Sequence, residues 1–397
     1  MSTLLAFEDA LKAIEDSASV RVSNEIIALS NATGRILAKD IVADIFVPPH
    51  DNSAMDGYAL VAKDWQAGKS FIVSQRIPAG LHPEPLEPGT CARIFTGASI
   101  PEGADTVVMQ ENTQPVNDKI IFNQSPTNRD NIRPKGQDIE AGQTVVKAGQ
   151  KITPMHIGLL SSLGITEVSV YKQLRVGILT TGDELIPAGQ SLEPGQIFNS
   201  NGPMLSALVT QAGHRVADCL HAADTPEDTE AALRALMASC DVILSSGGVS
   251  VGEEDHVKSV LETLGTVHLW KIAIKPGKPL VHATLKGIPF IGLPGNPSST
   301  LVTYHWFARL LLSVCSGQVA DHPQSYLVDA GFSRTKTIQR DEFIRVAIGN
   351  DGLAYAHPQQ SSGALLAACE GQGYLHIKAQ TPIEYGCSYS FYPFYGF

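Results

Sequence analysis

The segment Ser245–His256, SSGGVSVGEEDH, sets an anion cradle beside its own carboxylates. A glycine turn that ends an apolar run presents backbone N–H groups suited to phosphate. Glu253, Glu254 and Asp255 follow at once and would repel phosphate unless a divalent cation stood between them. Magnesium serves both sides, because it takes one or two carboxylates and completes its octahedron with water and phosphate oxygens. Asp255, with Asp224 or Glu184, is therefore a candidate metal seat. Glu253 and Glu254 are better explained as acids opening a helix near His256, where they favour the helix dipole.

Two further stretches share this pattern, TTGDEL (180–185) and LPGNPSS (293–299). Each leaves an apolar run through glycine with a hydroxyl or amide nearby. Together the three loops make Thr181, Gly182, Ser246, Gly247, Gly248, Pro294, Gly295 and Asn296 candidates for substrate binding. The stretch WKIAIKPGKP (270–279) adds positive charge. If 270–275 is a strand, Lys271, Ala273 and Lys275 share one face and Ile272 and Ile274 the other. The two lysine stems would then stand roughly 13 Å apart, a floor for two oxyanions or one long polyanion. Earlier in the chain, PPHDNSAMDGYAL (48–60) crowds Asp51, Asn52, Ser53 and Asp56 around Met55. RIFTGASIPEGAD and RPKGQDIEAG add Thr96, Ser99, Arg133 and Asp138. Other chemistries lack their signatures. GKS at 68–70 has Lys63 where a P-loop needs its first glycine, and PGKP at 276–279 has Pro279 where a hydroxyl should bind magnesium. H-E-x-x-H does not occur.

These groups need elements to position them. From Leu174 the chain alternates strand-like runs with amphipathic helices: LRVGILTTG, PMLSALVTQAG, HRVADCLHAAD, a helix opened by Thr225-Pro226, DVILSSGG, and HVKSVLETLG. HLWKIAI, PLVHATL and IPFIGLPG read as further strands, and SSTLVTYHWFARLLLSV as a long closing helix. Such alternation implies a doubly wound, mostly parallel sheet covered on both faces, with ligands beyond the carboxyl ends of its strands. Residues 7–17 suit an amphipathic helix and 24–30 a strand. From Val47 to about Ile139 proline and glycine punctuate short apolar runs, and TQPVNDKIIFNQ predicts a hairpin turning at Asn117-Asp118. After about Pro323 short β-type runs return.

A chain of 397 residues exceeds one ordinary core. At 43% hydrophobic and 17% charged, with no apolar run long enough to span a bilayer, it predicts a globular protein without a membrane partner. A net charge of −11 argues against a nucleic-acid partner. The N-terminal stretch lacks a basic region and carries acids within its apolar part, unlike a secretory signal. Six scattered cysteines without a C-x-x-C pair predict free thiols in a reducing cytoplasm, with Cys219 and Cys240 filling core positions.

DNSAMDGYA, RIFTGASIPEGADTVVMQE, GILTTGDEL, SSGGVSVGEEDH, WKIAIKPGKP and LPGNPSS, in this order, resemble the MoeA family of molybdopterin molybdenumtransferases, to which the C-terminal domain of gephyrin is related. The resemblance spans essentially the whole chain. It implies an α/β multidomain fold: an N-terminal linking domain (1–46 and 140–173), an inserted β-rich domain (47–139), a doubly wound molybdopterin-binding domain (174–322) and a β-barrel-like C-terminal domain (323–397). It also implies an elongated homodimer whose cleft lies between the doubly wound domain of one subunit and the β-rich and C-terminal domains of the other. The implied substrates are molybdate and adenylylated molybdopterin, with magnesium required and molybdenum cofactor and AMP as products. The adenylyltransferase that precedes it and the molybdenum enzymes that receive its product are the implied protein partners. Carried over by motif, Asp56, Asp138, Glu184, Asp224, Asp255, Lys271 and Lys275 would be catalytic, with Asp224 and Asp255 on magnesium. Thr96, Arg345 and Ser362 would join the three glycine loops in binding substrate. Asn199, Gly202 and Ser361 depart from the residues usual in relatives, and the sequence does not decide between Asp51 and Asp56.

Overall fold

The computed structural model describes residues 4–249, 257–269 and 271–396. At its centre is a six-stranded sheet formed by the alternating part of the chain. In order the elements are β1 (Arg175–Thr181), α1 (Asn201–Gln211), β2 (Arg215–Ala222), α2 (Pro226–Ser239), β3 (Val242–Ser246), α3 (Val257–Leu264), β4 (Gly265–Leu269), β5 (Val281–Leu285), β6 (Ile288–Leu293) and α4 (Pro297–Thr303). The strands lie in the order β2-β1-β3-β6-β5-β4. β2, β1, β3 and β6 run parallel, whereas β5 and β4 form an antiparallel edge.

Period-two alternation places successive strand residues on opposite faces. Ile178, Val242, Leu244 and Ile291 therefore meet Leu205, Val209, Phe307 and Leu311 on one side. Leu179, Ile243 and Phe290 meet Leu233, Leu236, Val260 and Leu261 on the other. Each such side chain, fully buried, contributes about 1.5–3 kcal/mol relative to exposure. The helix that closes the unit continues from α4 through a π turn (Tyr304–Ala308) into Arg309–Cys315, and is buried nearly all round. The helix Phe7–Ser17 presents Phe7, Ala10, Leu11 and Ile14 to the same core. Cys240 fills a core position, but Cys219 does not: β2 is an edge strand, and there Cys219 is exposed.

Asn24–Ala28 pairs antiparallel with Glu167–Tyr171, and Leu29 and Leu37 share one core with Val146, Leu160 and Val170. Between these two stretches the chain leaves to build a second six-stranded sheet. Its order is Thr106–Met109, Gly57–Leu60, Cys91–Ile94, Ser70–Ile77, Lys119–Phe122 and Thr113–Val116. The hairpin between its last two strands turns at Asn117, with φ 55°. The chain enters and leaves this part side by side, with Val47 N donating to Ile139 O at 2.9 Å and Ile139 N to Val47 O at 3.1 Å. A third sheet holds Tyr326–Asp329, Asp341–Ile348, Ala354–Ala356, Gly373–Ile377 and Ser388–Pro393. Ala330, just beyond its first strand, bridges to Ala354 and closes the sheet into a barrel-like ring.

The lysine stretch departs from expectation. Ile272 and Ile274 are fully buried while Lys271 and Lys275 face outward, as alternation requires. Yet 271–275 is no strand of the central sheet: β4 ends at Leu269, Ile272 bridges to Leu5, and Ile274–Lys275 pairs with Asp341–Glu342 of the third sheet. The hydrogen-bonding partners lie far away in sequence, so local pattern could not reveal them. Among the described residues no helix is long and apolar enough to cross a membrane.

Candidate functional site

β1, β3 and β6 are adjacent and parallel, so their carboxyl ends, Thr181, Ser246 and Leu293, emerge at one edge of the sheet. The chain crosses from β1 to β2 on one side and returns to β3 on the other, which makes this edge the topological switch point where open α/β sheets bind ligands. A cavity of about 500 Å³ lies there. It is lined by all three glycine loops, including Thr181, Gly182, Ser246, Gly247, Gly248, Pro294, Gly295 and Asn296, and by Glu184 and Asp224. The ten residues of this group, named separately from sequence, thus share one wall.

Backbone shape explains the glycines. Gly247 and Gly248 adopt φ values of +98° and +64°. A Cβ on Gly247 would stand 2.6 Å from Thr181 O, and one on Gly248 would collide with Val257 Cγ2. Side chains behind the loops then fix their spacing. Asn201, at the start of α1, donates through Nδ2 to Ser246 Oγ at 2.8 Å and to Gly295 O at 2.7 Å. Ser246 Oγ donates to Pro294 O at 3.0 Å, and Thr300 Oγ1 donates to the same carbonyl at 2.5 Å. Asn201 thereby ties two of the three loops together, a role that sequence reading missed. An asparagine opening a helix beside a glycine was the available signal.

The cavity also presents buried polar atoms that no described protein group satisfies. Thr181 Oγ1 and Asn201 Oδ1 have no hydrogen-bond partner among the described residues, although their residues are only 5% and 8% exposed. Such atoms are costly in an apolar setting and favour a polar ligand. Asp224 is held by reciprocal bonds with Asp183: Asp224 N donates to Asp183 Oδ1 at 3.0 Å, and Asp183 N to Asp224 Oδ2 at 3.3 Å. Asp224 and Glu184 both border the cavity, and two carboxylates beside glycine-loop N–H groups suit magnesium carrying phosphate oxygens. Asp255, the other proposed metal ligand, lies outside the described residues. Among the described residues no group of three or more acids, histidines or cysteines is gathered for a metal.

The remaining candidates sit elsewhere. Lys275 Nζ pairs with Glu342 Oε1 at 2.9 Å, and Arg334 engages the other oxygen, Oε2. Burial would raise the Glu342 carboxyl, but the hydrogen bonds and charges of Arg334 and Lys275 outweigh it and hold the group below its ordinary range. Lys275 remains 41% exposed at its side chain and Lys271 half-buried, and neither borders the 500 Å³ cavity. Arg345 does not border it either. It is fully buried, and its guanidinium bonds Ser298 Oγ and the carbonyls of Gln359 and Ser361, the latter two at 3.3 and 3.1 Å. Ser362 O accepts from Ser298 N at 2.9 Å. Within one chain Arg345 and Ser362 therefore brace the start of α4 from behind.

In the inserted part, Asp56 Oδ1 accepts from Thr96 N at 2.8 Å and Thr96 Oγ1 at 2.9 Å. Those two hydrogen bonds lower the Asp56 carboxyl below its ordinary value. Asp51 is occupied by Arg129 at 2.5 Å and by Lys135 N at 2.8 Å, which leaves Asp56 the acid paired with a single hydroxyl residue. Asp138 borders a separate hollow of about 420 Å³ with Asn52 and Arg133. None of Asp56, Thr96 and Asp138 borders the 500 Å³ cavity within one chain.

Comparison with known proteins covers nearly the full length. Residues 5–164 match the family described as the MoeA N-terminal region (domain I and II), and residues 177–313 the probable molybdopterin binding domain. The molybdopterin molybdenumtransferase of Haemophilus influenzae is 39% identical over 86% of this chain and 85% of its own length. That of Synechococcus elongatus is 33% identical over 96% of this chain and 99% of its own. Among solved structures, a molybdopterin biosynthesis MoeA protein from Pyrococcus horikoshii superposes with a TM-score of 0.86 at 27% identity, covering 99% of this chain and 100% of that one.

Proposed function

Because this chain belongs to the MoeA family of molybdopterin molybdenumtransferases, we propose that its cavity binds adenylylated molybdopterin and inserts molybdenum from molybdate. In this reading the phosphoanhydride is cleaved in a molybdate-dependent step, AMP leaves, and molybdenum stays on the dithiolene as molybdenum cofactor. The observation that carries the reading is the convergence of three glycine loops on one cavity where Thr181 Oγ1 and Asn201 Oδ1 have no hydrogen-bond partner among the described residues.

Each group has a physical part. The N–H groups of Gly247 and Gly248 hold phosphoryl oxygens, as oriented backbone dipoles do. Thr181 and Asn201 supply a hydroxyl and an amide oxygen for polar edges of the pterin. Asp224, Glu184 and Asp255 would seat magnesium, which when bound screens the phosphoryl charge from these acids. Lys271 and Lys275 stabilise oxyanion charge, with Glu342 keeping the Lys275 ammonium in place. Asp56, Thr96 and Asp138 would complete the site from the β-rich part of a second subunit in a homodimer, because within one chain they lie apart from the cavity. The division into 1–46 with 140–173, 47–139, 174–322 and 323–397, and residence in the cytoplasm, belong to the same reading.

The direct test supplies purified protein with adenylylated molybdopterin and magnesium. AMP should appear only once molybdate is added, and release without molybdate would refute the assignment. Lys275→Ala should slow AMP release by about 10²-fold or more, whereas Lys63→Ala, at an exposed position in the inserted part, should leave it unchanged.

A further inference from the structure

The opposite, amino edge of the central sheet holds a second hollow, of about 410 Å³. This lies within the range of roughly 300–1,000 Å³ usual for small-molecule sites. Its charged lining is dominated by four cations, Arg21, Lys172, Arg175 and Arg215, against Glu25 and Asp241. Both acids are already engaged. Asp241 takes Arg175 in a two-point pair, with Nη2 at 2.8 Å from Oδ1 and Nε at 3.3 Å from Oδ2. Glu25 takes Arg35 at 2.5 Å. Arg21, Lys172 and Arg215 form no ion pair among the described residues, and Arg215 reaches only Gln173 Oε1, at 3.0 Å from its Nε.

The strand register sharpens this surplus. Arg175 and Arg215 begin β1 and β2 and are direct partners across the parallel pair. Like charges placed opposite one another are unfavourable, and Asp241 compensates only the first. The cations come from three separate stretches, 21–25, 172–175 and 215, in a protein whose overall charge is −11. A local positive hollow in a negative molecule concentrates anions at that one place. Guanidinium groups bind phosphoryl oxygens through paired N–H donors.

We propose that this hollow is a binding site for a small anion bearing two or more phosphoryl groups, separate from the cavity at the carboxyl edge. Arg21, Lys172 and Arg215 contact the anion, and the Arg175–Asp241 pair forms the fixed floor. The proposal is independent of the reaction assigned to the other edge. Inorganic pyrophosphate is the probe, titrated calorimetrically into the full-length protein at low and high salt. Binding should weaken with salt, and Lys172→Gln with Arg215→Gln should reduce affinity at least about tenfold. The same double variant should keep its melting temperature and its rate of AMP release. Absence of pyrophosphate binding to the parent protein, or equal affinity in the double variant, would overturn the proposal. If the double variant loses stability, the single Lys172→Gln variant, altered at an exposed side chain, is used for the same comparison.

Discussion

At Glu342, only 4% exposed, one carboxylate faces Lys275 and Arg334 together. Replacing it by glutamine would leave two cations competing for a neutral amide. Removing one partner of a charged hydrogen bond costs about 1–3 kcal/mol, toward the lower end here because Lys275 and Arg334 are 41% and 29% exposed. Glu342→Gln should therefore lower the urea midpoint modestly, and should slow AMP release more than its effect on stability explains. Its carboxyl is held below its ordinary value of 4.5, so its contribution is complete above that value and disappears as pH falls through the folded value. The variant should accordingly show a flatter loss of stability below about pH 4.5; an unchanged slope would contradict the pairing. None of this was legible in sequence, because Lys275, Arg334 and Glu342 belong to three different stretches.

Elements carried the legible part of the site. Short apolar runs, each ending in glycine, located the three loops because β1, β3 and β6 are neighbours in a parallel sheet. The stretch 271–275 escaped the same reasoning: its alternation is genuine, but its strand-like pairing is with Leu5 and Asp341–Glu342. Asn201 escaped because its work is done across two loops rather than along its own helix. Gly248, two residues beyond β3, offers a test of how tightly the backbone shapes the cavity. Gly80 and Gly248 both hold positive φ, +87° and +64°, which costs a non-glycine residue about 1–2 kcal/mol. A Cβ on Gly80 meets nothing within 4 Å, whereas one on Gly248 strikes Val257 Cγ2 and comes to 2.9 Å from Thr181 Oγ1. Gly80→Ala should lose only that stability, measured by urea unfolding. Gly248→Ala should lose more, and should abolish most AMP release by displacing Thr181.

Across the whole molecule, histidines buried without charge tie stability to pH. Burial, with Lys151 nearby, lowers His214 to about 4, and burial, with His268 nearby, lowers His282 to about 4. The unfolded chain takes up these protons near 6.5, so between about 6.5 and about 4 it binds more protons than the folded chain. Stability must then fall as pH drops through that window, by about 1–3 kcal/mol per group, and neither group contributes above it. Urea midpoints measured from pH 7 to pH 4 should show the fall, and His282→Gln, if it folds, should flatten the slope by about one proton. A slope unaffected by that change would refute the assignment.

The doorway at Val47 and Ile139 has its own consequence. Both threads of the second sheet pass through one antiparallel bridge, so whatever lies beyond is hung on the remainder like a pendant. Its length, surface and even its presence can vary while the flanking strands keep their mutual register, since a short tie could span that gap. Natural or engineered exchange of this piece between relatives should thus leave the cradle of glycine loops intact.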